Sequence, residues 1–296
     1  MFTLPEALRA IVRYNREALF AMLFQAASQT LLALCRDPRR LGATPAITMV
    51  LHTWTRELLF HPHIHAVVSA GGLSPDGARW VPIRGDYLFP VKVLAKLFRG
   101  KFRAALMEGL SSGKITLPPD SPPGALQRID AACKTPWVVY AKAPFGGAEQ
   151  VYSYLGRYTH RVGISNARLR TMDERGVTFA TRDGGQCTLS GAEFLRRFVD
   201  HVLPKGFTRI RHYGLLSASH ATTTLEHARS LLSPPPPSSP PAATASPAPQ
   251  QPKPTWIERL LALTGVDVRR CPRCETGHLV RHPLSEAIET ARRDTS

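Results

Sequence analysis

Two segments about ninety residues apart carry side chains suited to phosphoryl chemistry. The first is His61-Pro62-His63-Ile64-His65. In an extended segment the side chains at i and i+2 share a face. His63 and His65 can therefore grip one metal ion together, while Ile64 and Ala66-Val67-Val68 anchor the strand in a core. The second is Gln150-Val-Tyr-Ser-Tyr154-Leu-Gly-Arg157-Tyr158-Thr-His160. On a helix Gln150, Tyr154 and Tyr158 are successive neighbours along one side. A paired-histidine strand beside a tyrosine-bearing helix suggests metal-assisted cleavage of a phosphodiester by a tyrosine.

Two imidazoles hold half a coordination sphere, and imidazole accepts most divalent transition metals. The third ligand is expected to be Gln150, projected from the helix, with His61 and His52 as alternatives. Pro62 is expected to break the strand, so His61 need not share the face of the other two. The competing reading makes these histidines ordinary core or capping residues. A phenol has a pKa of about 10 and is a weak nucleophile at neutral pH. It needs a metal-activated phosphate and a nearby cation such as Lys142, Arg157 or Arg161. Val151, Leu155, Tyr158 and Val162 fall in one apolar stripe. Tyr154 lies about 40° off its edge at 100° per residue. Tyr154 is thus the first choice of nucleophile and Tyr158 the second, both against the alternative of aromatics packed in the core.

The chain has 38 Lys and Arg against 22 Asp and Glu, a formal net charge of +16. That excess favours a polyanionic partner. Lys142, Arg157, Arg161, Arg168, Arg170, Arg209 and Arg211 cluster in sequence around the tyrosine segment and the stretch ending at Tyr213. Interleaved Trp137, Phe145 and Tyr213 could stack on unpaired bases. Helix-turn-helix and complete zinc-finger patterns are not evident. Of five cysteines only Cys271 and Cys274 are close in sequence. They make half a zinc site, which His278 and His282 could complete at tighter spacing than usual fingers. The set excludes a disulfide framework. No secretory leader is read at Met1-Phe-Thr-Leu-Pro-Glu6, and the apolar run Ala18 to Cys35 reads as a buried helix, so a cytoplasmic protein without membrane partners is expected.

The elements that must position these groups follow from periodicity and turn chemistry. Thr3-Leu-Pro-Glu6 is a candidate capping box. Helix follows through Leu34, ending near Asp37-Pro38. Ala46–His52 and His63–Ser69 read as strands, Val91–Leu110 as a helix with basic residues outward. Trp137–Lys142 reads as a strand turned by Pro144-Phe-Gly-Gly147 into the tyrosine helix. Arg161–Asn166, Leu169–Met172 and Val177–Thr181 read as short strands, and Ser190–Leu203 as an amphipathic helix. Gly206–Gly214 is a basic strand or turn. Between residues 233 and 254 ten of 22 residues are proline, an extended linker. This gives a domain at 1–232, the linker at 233–254 and a small tail at 255–296.

Several motifs in order resemble the insertion-sequence ninety-one family of transposases, two-tyrosine members of the His-hydrophobe-His endonuclease superfamily. They are His61-Pro-His-Ile-His65, Gly71-Gly-Leu-Ser-Pro-Asp-Gly77, Trp137-Val-Val-Tyr-Ala-Lys142, Tyr154-Leu-Gly-Arg-Tyr158 through Asn166, and Arg209-Ile-Arg-His-Tyr-Gly214. The resemblance covers about residues 2 to 232. It implies an α+β fold, an antiparallel sheet flanked by helices with the histidines on a central strand. It also implies a DNA transposase that nicks single-stranded DNA at element ends, with Mg²⁺ or Mn²⁺ as cofactor. His63 and His65 resemble the family's metal pair, and Tyr154 and Tyr158 its nucleophiles, forming a 5′-phosphotyrosine link before strand transfer. Family members usually carry a cysteine-rich zinc module and a complete first strand ahead of the Phe-Thr-Leu-Pro segment, so an N-terminally shortened copy is expected. The segment between Phe179 and Thr188 is also shorter than the family's basic hairpin. Rival readings are a catalytically inactive DNA-binding remnant, a replication initiator or relaxase-type nickase, and a metal-dependent hydrolase with no covalent step.

Overall fold

The computed structural model describes residues 1–85, 88–159, 163–182, 184–220 and 222–232, the side chains of 148 and 157–159 excepted. It further describes residues 257–258, 261–262, 267, 269–271, 274 and 277–279. Chain contacts divide the protein into two units, Met1–Pro235 and Pro236–Ser296.

The first unit is built on an antiparallel sheet in the order β1 (Phe2–Thr3), β3 (Phe60–Leu73), β2 (Thr44–Trp54), β8 (Ile210–Gly214). β4 (Trp80–Pro82) pairs with the far end of β3. Helices cover this sheet, which makes the fold α+β. In β2 and β3 alternate residues serve different faces. Ile47, Met49 and Leu51 of β2 and Ile64 of β3 are buried in the main core. That core is closed by α2 (Arg16–Arg36) and α3 (Val91–Ser111). α3 buries Leu94, Phe98, Phe102 and Leu106, one residue per turn, as a four-residue repeat on a helix requires. Fully burying each phenylalanine contributes about 1.5–3 kcal/mol. α2 passes the length and hydropathy of a membrane span, at mean hydropathy 1.6, yet Leu19, Phe20, Leu23, Phe24 and Leu31 are packed inside the protein. It ends at Asp37 because Pro38 disfavours helical backbone in the residue before it; Asp37 is extended.

A second, three-stranded antiparallel sheet follows, β5 (Leu169–Asp173), β6 (Gly176–Ala180) and β7 (Gln186–Leu189). α6 (Gly191–Val199) packs on it through Phe194, 5.9 Å from Phe179. Ser190 caps α6 by accepting the Glu193 N–H. The remaining helices are α1 (Arg9–Tyr14), α4 (Ala125–Lys134), α5 (Ala148–Thr159) and α7 (Thr224–Leu232).

Several sequence expectations need correction. Pro62 does not break the strand: β3 runs through it from Phe60 to Leu73. The proline falls where the β2–β3 register shifts between His52↔His63 and Trp54↔Phe60, a bulge in which its missing N–H costs no ladder bond. Trp137–Lys142 is not a strand but a single bridge, Phe2↔Val139, because its partner β1 is two residues long. The capping box is absent too. Thr3 sits in β1 opposite His63, and Pro5 precedes a one-turn 3₁₀ segment, Glu6–Leu8, that has no side-chain cap. Of the strand expected at Arg161–Asn166, residues 161 and 162 lie outside the described set, and Asn166 begins a 3₁₀ turn.

Candidate active site

The sheet face opposite α2 and α3 carries the histidines. In β3, His63 and His65 flank Ile64, whose side chain goes to the core. In β2, His52 stands directly across from His63 in the antiparallel register. One ligand atom from each of His52, His63 and His65 lies within 4.8 Å of the other two. The ring centroids are 5.4 Å (His52–His63), 4.6 Å (His52–His65) and 5.0 Å (His63–His65) apart.

Burial sets the protonation of this cluster. It holds His63 down to about 3, against a smaller opposing effect from the His61 carbonyl that accepts the His63 Nδ1–H at 2.7 Å. It holds His65 down to about 2, and the neighbouring imidazoles push the same way. Both rings are therefore neutral at pH 7, the ligating form. In His63 the proton is fixed on Nδ1, so Nε2 keeps its lone pair, the arrangement usual for a metal-bound imidazole. The donor set fits a divalent cation.

α5 lies over this face and supplies the tyrosine. Tyr154 Oη and His65 Nδ1 are hydrogen-bonded at 2.8 Å, with ring centroids 6.0 Å apart. Phe145, in the turn before α5, packs against Tyr154 at 5.2 Å and is 36% exposed, so the pair is open to a ligand from outside. Gln150, the expected third ligand, has its amide engaged elsewhere. Its Oε1 accepts the Gly146 N–H at 2.9 Å and tightens the turn into the helix. Gln150 lies one turn before Tyr154, towards the start of α5, and its side chain is exposed. His52 is the third imidazole of the cluster. The side chains of Tyr158 and Arg157 lie outside the described set, as does Arg161.

The expected cations divide. Lys142 is exposed in the segment leading to α5. Arg209 is half-buried beside the site: its guanidinium stands 5.0 Å over Trp54, its Nε–H donates to the Leu51 carbonyl, and burial lowers its pKa. Arg211 lies on the α2 side of the sheet, 4.6 Å over Phe24 and 4.8 Å over Phe207. Arg168 clips the Gly163, Ala180 and Arg56 carbonyls together. Trp137 is also a core residue, 5% exposed, its indole N–H bonded to Ala132, and so is not placed for base stacking.

Sequence reasoning missed Trp54 and His201. Trp54 stacks on His52 at 4.5 Å and 18°, holding that ring against the cluster. Buried His201 braces the same strand end. Its Nε2–H donates to the Leu58 carbonyl at 3.0 Å and its Nδ1 is 3.2 Å from Thr53 Oγ1. The alternation His52-Thr53-Trp54 on a strand was the one signal that could have found Trp54.

Comparison with known proteins places the chain. Residues 46–223 match the family Y2_Tnp, described as Putative transposase. The putative transposase y4qJ of Sinorhizobium fredii is 40% identical over 299 residues, an alignment spanning 97% of this chain and 73% of that protein. The transposase for insertion sequence element IS801 of Pseudomonas savastanoi pv. phaseolicola is 30% identical, across 93% of this chain and 64% of its own length. No solved structure matches.

Proposed function

Because the chain belongs to the Y2_Tnp family of transposases, of the insertion-sequence ninety-one type, we propose that it nicks and transfers single-stranded DNA at element ends through Tyr154. His52, His63 and His65 would hold a divalent ion. The observation that carries this reading is the 2.8 Å bond between Tyr154 Oη and His65, which joins the nucleophile to the ligand cluster.

Each residue then has a role. Mg²⁺ or Mn²⁺ held by these three imidazoles would supply Lewis-acid polarisation of the scissile phosphate and offset charge in the transition state. His65 Nδ1 orients the phenol, and α5 carries it to the sheet face. The Tyr154 oxygen bonds to phosphorus as the bond from phosphorus to the 3′ oxygen breaks, and the phenolic proton is delivered to the departing oxygen. One phosphoester replaces another, so a free 3′ hydroxyl can reverse the step without ATP. Tyr158, one turn further along α5, serves the second strand end. Phe145 stacks on a base beside the cut, and Lys142, Arg157 and Arg161 meet the backbone.

Covalent capture tests the proposal. The full chain is incubated with Mn²⁺ and 3′-labelled single strands from the flanking DNA, then resolved on a denaturing gel. A labelled adduct is expected, lost in Tyr154→Phe and in His63→Ala. Folded protein that gives no adduct on any end, or nicking that survives in the Tyr154→Phe, Tyr158→Phe double variant, overturns it.

A further inference from the structure

The second unit contains a small turn that neither strand-cleavage residue uses. Arg270 and His278 form an antiparallel bridge. The Cys271 N–H donates to the Gly277 carbonyl at 2.8 Å and the Leu279 N–H to the Arg269 carbonyl at 2.6 Å, so the chain doubles back across Cys271 and Cys274. Gly277 closes over both cysteines. Its N–H donates to Cys274 Sγ at 3.3 Å, and a Cβ placed there would lie 3.0 Å from that sulfur and 3.6 Å from Cys271 Cβ. Neither cysteine is in a disulfide.

The other three cysteines are set against ionisation. Burial pushes Cys35 up to about 12 and Cys133 up to about 11, and it raises Cys187 as well. They are packing residues, whereas Cys271 and Cys274 share a turn shaped around a sulfur acceptor.

We propose that Cys271 and Cys274 bind Zn²⁺ as thiolates, in a centre separate from the three histidines. Soft sulfur donors select zinc, whereas imidazoles beside a phosphate also accept harder ions. Each thiol gives up its proton to solvent on binding, so affinity rises with pH. The two sulfurs fill two of the four tetrahedral positions of such an ion, leaving two for water or further donors.

The test uses Co²⁺ as the probe on the reduced full chain. A near-ultraviolet thiolate-to-cobalt charge-transfer band is expected, saturable and displaced by Zn²⁺. It is lost in Cys271→Ser and in Cys274→Ser but kept in the His63→Ala, His65→Ala variant, whose defect belongs to the strand-cleavage reading. Gly277→Val, which leaves both thiols in place, should weaken Co²⁺ binding by about 10- to 100-fold, the usual cost of disturbing groups behind a ligand. Absence of the band in the wild type, or its persistence in the double serine variant, overturns the proposal.

Discussion

Three imidazoles with ligand atoms within 4.8 Å of one another, at least two of them held neutral by burial, make a donor set with room for a cation and little use for a proton. In the ion-free protein this has an acid cost. The unfolded imidazole has a pKa of about 6.5, while folded His63 and His65 sit at about 3 and about 2. Between those limits the unfolded chain binds more protons, so stability is full above about pH 6.5 and falls as pH drops towards 3. Urea midpoints at pH 7, 5 and 4 should decline steeply, and the His63→Gln, His65→Gln variant should show a flatter profile; equal slopes would sink the assignment. The third ligand is separable in the same way. His52→Ala should weaken Mn²⁺ binding by calorimetry at least about 100-fold, beyond what outer groups usually contribute. Gln150→Ala should leave it unchanged, because that amide serves the Gly146 turn. Tyr154→Phe should abolish the DNA adduct while removing one hydrogen bond of about 0.5–1.5 kcal/mol, so thermal melting should move by only a few degrees.

The site exists because two kinds of element meet, a β2–β3 ribbon with its bulge and a helix laid across it. The ribbon was readable from the chain alone, since His63-Ile64-His65 alternates with period two and Ile64 can only be the buried partner. Its offset to the apolar stripe singled out Tyr154, whose hydroxyl meets His65 in the fold. Cross-strand partners were less readable, and His52 stood only as an alternative to Gln150. His52 and His63 are eleven residues apart in the chain, and only the register across the Thr55–Leu59 turn makes them neighbours. Trp137–Lys142 failed for the opposite reason: its β-branched and aromatic content satisfies local propensity, but a strand also needs a partner, and β1 offers two residues. The turn of the Gln150 amide towards Gly146 was not legible, because spacing on a helix fixes a side and not a side chain's last torsions. The register has a consequence that can be measured. Trp54 stacks on His52 and, on the proposed function, would position that ring as a ligand. Trp54→Ala should cost about 10- to 100-fold in Mn²⁺ affinity, with far-ultraviolet circular dichroism unchanged. Undiminished affinity would mean that the β2 backbone alone sets the His52 ring.

Across the whole molecule a net charge of +16 makes any polyanion attractive, so affinity alone says little about where DNA lies. Salt dependence says more, because each phosphate neutralised on a single strand contributes about 0.7 to the slope of log K against log salt. The basic residues fall into two groups by surroundings. Lys142 is exposed on the approach to the tyrosine helix, whereas Arg211 spreads its guanidinium over Phe24 and Phe207 on the far face of the sheet. Lys142→Ala should therefore lower the slope by about 0.7 at unchanged melting temperature. Arg211→Ala should leave the slope alone and destabilise the fold through the lost cation–π packing, about 0.5–2 kcal/mol, or a few degrees of melting temperature in a unit of this size. Fluorescence anisotropy of a labelled single strand across a salt series, paired with thermal melts, reads both. If Arg211→Ala instead shifts the slope and Lys142→Ala does not, the strand runs along β8 and not over the tyrosine helix, and the histidine face is not where DNA is held.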